Sequence, residues 1–164
     1  MSKEKQEHFM SLYQPIHNRF ERFCRARCFG EMDHKDLMND TLLIAFEKFE
    51  TLQKEQSFLP FLIGISMRVL GNFLQKKKTE KYQQHFENTI QDQQSSPSEK
   101  ADIYFLHLAL SQLSTEKREA LLLFEIIGMR ISEIAQLQNV SEVVIRQRLK
   151  RGRDQLAVIL VKNK

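Results

Sequence analysis

Glycine and proline are scarce in this 164-residue chain, five and three in all. That removes the punctuation on which turn-rich β folds depend. Long apolar runs are missing as well, since none approaches the roughly 18 residues that a membrane helix takes. The opening MSKEKQEHFM is polar and lacks the apolar core of a secretory signal, so the expectation is a cytoplasmic protein with no membrane partner. There are only two cysteines, Cys24 and Cys28, spaced i, i+4 on one helical face. His17 and His34 flank them, but structural zinc sites bring their ligands in tight pairs such as C-x2-C. Ordinary buried thiols are expected, with no metal and no cofactor. Strong charge bias is absent too. Lys plus Arg number 25 against 21 for Asp plus Glu, a net +4, which points to no partner unless the charges are clustered. No P-loop, H-E-x-x-H or G-x-S-x-G motif occurs, so no catalytic residue is assigned and the chain is not expected to be an enzyme.

What the chain does have is apolar periodicity at helical spacing along most of its length, with little β-branched alternation. The fold class is therefore all-α. Residues 8–78 are rich in Phe and Leu and read as one small helical domain. Residues 79–100, TEKYQQHFENTIQDQQSSPSEK, are polar and Gln- and Ser-rich, cannot bury much, and read as a linker. Residues 101–164 form a second helical domain. In the first domain Pro15 suits the first turn of a helix carrying Ile16, Phe20, Phe23 and Arg27, with Gly30 as its C-terminal cap. Further helices are expected over 33–49 and from about Ser57 to the Lys76-Lys77-Lys78 run. In the second domain helices are expected over 103–110, 114–127 with a stop at Gly128, 131–137, and 141–161 with Ser141 as N-cap.

The most specific signal is RISEIAQLQNVSEVVIRQRLKRGRDQL. A short helix with small Ala135, a turn through Gln138, Asn139 and Val140, and a longer basic helix describe a helix-turn-helix. At 100° per residue Ile145, Leu149, Gly152 and Leu156 fall in one inward arc, and Val143, Gln147, Lys150, Arg151 and Asp154 lie opposite. Arg146 and Arg153 flank one edge and Arg148 the other. A basic face of this kind suits phosphates, and Arg and Gln can pair with base edges.

The stretch LSQLSTEKREALLLFEIIGMRISEIAQLQNVSEVVIRQRLKRGRDQL resembles the C-terminal domain of group IV (extracytoplasmic-function) sigma factors of the sigma-70 family. The landmarks are Leu110, Leu113, Arg118, Leu123, Gly128, Glu133, Ile134 and Ala135. DLMNDTLLIAFEKFE is similar to the family's acidic helix, and SFLPFLIGISMRVLGNFLQKKK to its aromatic, basic promoter-melting helix. This sequence has Val143-Val144-Ile145 where the family often has Gly-Thr-Val, Arg130 where a Ser or Thr cap is common, Phe61 in place of Trp, and Met67-Arg68 in place of Arg-Asn. The resemblance implies that the 8–78 domain binds core RNA polymerase and the minus-ten element. It implies that the 101–164 domain reads the minus-thirty-five element and that an anti-sigma factor is a further partner.

In the first domain Asp36, Asn39, Asp40, Leu43 and Glu47 share one helix face, with Met38, Thr41, Leu42, Ala45 and Phe49 opposite. Asp36, Asn39, Asp40 and Leu43 are the candidate core-polymerase contacts. Phe58, Phe61, Leu62, Ile65 and Val69 form a core face on the next helix, which leaves Arg68, Lys76, Lys77 and Lys78 as candidates for minus-ten DNA. The resemblance adds that the loop over 50–57 holds unstacked bases of the melted non-template strand. Arg146, Gln147, Arg148, Lys150 and Arg151 are the minus-thirty-five candidates on double-stranded promoter DNA. A conventional helix-turn-helix regulator with a sensing or dimerising N-terminal domain is the alternative.

Overall fold

The computed structural model describes residues 2–80 and 97–162. Among them every regular element is helical. The chain opens with α1 (Lys3–Tyr13), a helix beyond those expected from the sequence. Ser2 caps it by accepting from the Lys5 amide at 3.1 Å. Phe9 stacks edge-on against Phe46, Phe49 and Phe58, with ring centroids 5.3–5.4 Å apart. This is the favoured aromatic geometry, and it makes α1 part of the core, so the first domain begins before residue 8. A 3-10 turn (Gln14–Ile16) holding Pro15 leads into α2 (His17–Cys28), and Gly30 follows with φ +80°, as a C-terminal cap requires.

Helix α3 (His34–Glu47) starts at Asp33, whose carboxylate accepts from the Lys35 amide at 2.8 Å. Two 3-10 turns, Phe49–Thr51 and Glu55–Ser57, connect it to α4 (Phe58–Glu80). By length and mean hydropathy the stretch 55–79 is long and apolar enough to cross a membrane, which corrects the expectation that no such stretch exists. Its apolar side is nonetheless filled by protein. Phe58, Leu59, Leu62, Ile63, Ile65 and Leu70 are buried in the first domain's core, where a single side chain of this size contributes about 1.5–3 kcal/mol.

The second domain starts at α5 (Pro97–Ser111), so the expected linker surrenders its last four residues to a helix with Pro at its first position. Residues 79 and 80 belong to α4, and the rest of the linker reading lies outside the described residues. Ser114 caps α6 (Thr115–Leu122), which continues into a π-helical turn (Leu123–Ile127) and stops at Gly128, φ +81°. Helix α7 (Ile131–Gln138) begins at Arg130, whose amide donates to the Glu133 carboxylate at 3.1 Å. Glu133 thus does the capping that the absent Ser or Thr would share. Asn139 makes the turn at φ +57°, and α8 (Glu142–Lys162) follows, with Ser141 Oγ accepting from the Val144 amide at 3.3 Å.

The two domains pack on each other. The C-terminal end of α2 meets α5, α6 and the π turn. Arg118 of α6 is 3% exposed and donates to the carbonyls of Ala26 (2.6 and 3.0 Å) and Phe29 (3.2 Å) and to the Glu31 carboxylate (2.8 Å). Arg27, equally buried, donates to Glu31 at 2.9 Å and Glu119 at 2.8 Å. Phe29 lies edge-on to Tyr104 and His107, 5.6 Å between ring centroids.

Candidate nucleic-acid interface

Helix α8 turns its apolar stripe inward as expected. Ile145, Leu149 and Gly152 are buried and Leu156 is half-buried. A Cβ at Gly152 would stand 3.0 Å from Leu121 Cδ1 and 3.6 Å from Lys117 Cβ, so the residue is a glycine because α6 crosses α8 there. The opposite side is open. Arg146, Gln147, Lys150 and Arg151 are exposed, while Arg148 is half-buried.

The five differ in how free they are. Arg148 donates to Gln138 Oε1 at 2.6 Å, and Gln138 Nε2 in turn donates to the Glu116 carbonyl at 3.0 Å. Arg148 thus braces the turn between α7 and α8. Lys150 pairs with Asp154 at 3.3 Å and Arg146 stands 3.9 Å from Glu142, both exposed pairs of little energetic weight. Among the described residues Gln147 and Arg151 have no side-chain partner, so both donors point to solvent at the centre of the face. They share a cleft of about 190 Å³ with Ser114, Glu116, Lys117, Val144 and Arg148. Ser114 and Lys117 come from the start of α6, which sequence reading did not attach to this surface. The only sequence signal for them was the Ser114 cap.

On α3, Asp36, Asn39, Asp40, Leu43 and Glu47 are all exposed and aligned, and Met38, Thr41, Ala45 and Phe49 are buried, with Leu42 half-buried. Leu43 is 66% exposed, an apolar side chain set in an acidic stripe.

The minus-ten candidates are less concerted. Arg68, Lys76 and Lys78 are exposed and Lys77 is half-buried. At about 100° per residue Lys76 and Lys78 stand about 80° to either side of Arg68, with Lys77 on the far side. The four therefore do not make one face. A better-formed feature lies beside the 50–57 loop. Lys5 bridges to Glu50 at 2.7 Å and His8 to Glu55 at 2.8 Å, and a cleft of about 610 Å³ opens between α1 and that loop. The Lys5 ammonium holds the Glu50 carboxyl below its usual range. Helix α1 is thus one wall of this cleft.

Both cysteines are free and buried. Burial pushes Cys28 up to about 12, and burial together with its neighbour Cys28 raises Cys24 well above the usual thiol range. Both are protonated and poor nucleophiles at neutral pH.

Residues 106–156 match the family described as sigma-70, region 4. No curated protein matches the chain. Among solved structures, the sigma factor RpoE from Bartonella quintana, determined in complex with the anti-sigma factor NepR, superposes with a TM-score of 0.76 at 19% identity, over 94% of this chain and 99% of that one. CnrH, determined with the cytosolic domain of CnrY, superposes at 0.70 with 20% identity, over 97% of this chain and 91% of that one. The open, basic face of α8 thus lies inside the matched segment, and the fold around it is like that of these two structures. Residues 106–156 are thus similar to sigma-70 region 4, and they sit in a chain whose helical fold is like that of the two solved structures.

Proposed function

We propose that the protein is a group IV (extracytoplasmic-function) sigma factor that directs core RNA polymerase to specific promoters and has no catalytic chemistry of its own. The observation that carries this reading is the pairing of two exposed faces on one sigma-like chain. One is the basic face of α8, with Gln147 and Arg151 unpartnered among the described residues. The other is the acidic stripe of α3 with its solvent-facing Leu43. The first can read base edges and phosphates. The second offers core polymerase an acidic docking stripe around an apolar contact. A helix-turn-helix regulator would have no use for the second face.

In this reading Asp36, Asn39, Asp40 and Leu43 bind core polymerase. Arg146, Gln147, Lys150 and Arg151 contact minus-thirty-five DNA, while Arg148 contacts a phosphate and holds the turn. Arg68, Lys76, Lys77 and Lys78 follow the backbone near the minus-ten element, and the cleft beside the 50–57 loop takes an unstacked base, whose extrusion costs a few kcal/mol. The protein works in the cytoplasm. An anti-sigma factor is among its partners, as for the Bartonella quintana neighbour.

Mixing the purified chain with core polymerase and separating by size tests the reading. Stoichiometric co-elution is expected. Separate elution, together with promoter binding by the chain alone, would favour a conventional regulator.

A further inference from the structure

The 50–57 loop is fastened to α1 at both of its turns. Lys5 Nζ stands 2.7 Å from Glu50, at the first turn, and His8 Nε2 stands 2.8 Å from Glu55, at the second. The two donors are three residues apart, so they share one helix face. Both are held in place before they reach the loop. The Lys5 ammonium lies 4.5 Å from the centre of the Phe46 ring, and the His8 and Phe49 ring centroids are 5.1 Å apart. An exposed ion pair is weak largely because two long side chains must be ordered to make it. The Lys5 side chain is only 20% exposed, so its part of that ordering is already met by the aromatic floor beneath it. The loop's own backbone bonds are of the weaker kind. The Thr51, Leu52 and Ser57 amides donate to the Lys48, Phe49 and Lys54 carbonyls, three residues back in each case. Between the two turns Leu52 and Lys54 have extended backbones, and exposed Gln53 stands between them and lines the cleft that α1 and the loop enclose.

We propose that Lys5 and His8 are positioning residues for promoter melting: they pin the two turns of the 50–57 loop to α1, so that an unstacked base meets a cleft already formed. This rests on the sigma-factor reading. A loop ordered before the base arrives loses less affinity to ordering. Lys5 has a second effect on the same step. Glu4, Glu50 and Glu55 all line the cleft, and carboxylates there oppose the approach of a polyanion. The Lys5 ammonium offsets the Glu50 charge, and the His8 ring covers one oxygen of Glu55. Neither residue need touch the base itself.

The test uses the full chain as wild type, Lys5→Glu, Lys5→Arg, His8→Ala and the charge swap Lys5→Glu/Glu50→Lys. Two measurements are made on each. The first is amide hydrogen exchange in the free chain, read by NMR. Lys5→Glu should speed exchange at Thr51 and Leu52, and His8→Ala at Ser57, by about two- to five-fold, with α3 amides unchanged. Lys5→Arg and the swap should restore the wild-type rates. The second is selection by reconstituted holoenzyme from premelted fork promoter fragments, randomised over the minus-ten segment of the non-template strand. Lys5→Glu and His8→Ala should lose about two- to five-fold of the enrichment at one base position and keep the others, and the swap should recover it. Unchanged exchange in Lys5→Glu and His8→Ala would overturn the positioning role. So would faster exchange with unchanged selection, or a selection loss that the swap leaves in place, since the latter marks Lys5 as a DNA contact. Exchange rates that follow the swap in a chain that never forms holoenzyme would overturn the sigma-factor reading and leave the pinned loop standing.

Discussion

Arg118 and Arg151 belong to the same domain and have opposite surroundings. Arg118 is buried against the first domain, and Arg151 faces solvent beside Gln147. If Arg151 makes a bidentate base contact, as the proposed function has it, Arg151→Ala is expected to cost holoenzyme about 1–3 kcal/mol on a cognate promoter and to relax preference at one or two base pairs. Arg148→Ala should weaken all sequences alike and reduce the salt slope by about one unit. It should also lower stability by roughly 0.5–1.5 kcal/mol, because the bond to Gln138 goes with it. Filter binding across several salt concentrations with thermal melts separates the two effects. The arc of α8 was legible in the sequence, because apolar spacing alone sets which residues turn inward. The bracing of Arg148 was not, because a hydrogen bond between side chains of successive helices leaves no periodic trace. Histidine titration belongs to this scale too. Burial, then Arg118, Arg25 and His34, push His107 down to about 4, and burial and Arg25 lower His34. Unfolded, each titrates near ~6.5. Above that both states are neutral. Between about 6.5 and 4 the unfolded chain takes up protons that the folded chain refuses, so stability falls as pH falls through that window. Melts from pH 7.5 to 4.5 should show this loss, and His107→Gln should flatten it. A melting temperature that holds steady or rises on acidification would contradict the assignment.

Among the elements, α6 and α8 meet where glycine leaves room. Gly152→Val places methyl groups against Leu121 and the Lys117 stem, and the forced separation should cost about 1–3 kcal/mol, read as a lower midpoint in urea. An unchanged midpoint would mean that the crossing is looser than it stands here. Helices α3, α4, α6, α7 and α8 were legible within a residue or two, from cap residues and apolar periodicity. Helix α1 was not, because Pro15 reads as the start of a helix. Here Pro15 sits inside the 3-10 turn that joins two helices. The Phe9, Leu12, Tyr13, Ile16 spacing was the signal available, and with it the inner wall of the cleft beside the 50–57 loop could have been placed. Helix α5 starts six residues before the expected 103, because its first turn is polar and only Pro97 announces it.

For the molecule as a whole, composition and periodicity divide the chain into two helical units, and the superposition on two solved structures spans both. How the units meet was beyond sequence reasoning. Arg118 and Ala26 are 92 residues apart, and a buried polar contact at that separation follows no spacing rule. In the proposed function the chain gives core polymerase its promoter choice. The most direct measurement is transcription in vitro by core polymerase on fragmented genomic DNA, with and without the chain, followed by sequencing of transcript 5′ ends. Discrete start sites that require the chain and share two upstream elements are expected. They should vanish with Asp36→Lys/Asp40→Lys, a variant whose circular dichroism should match wild type because both side chains are exposed. The same transcripts with and without the chain, or their persistence with the double variant, would contradict the account.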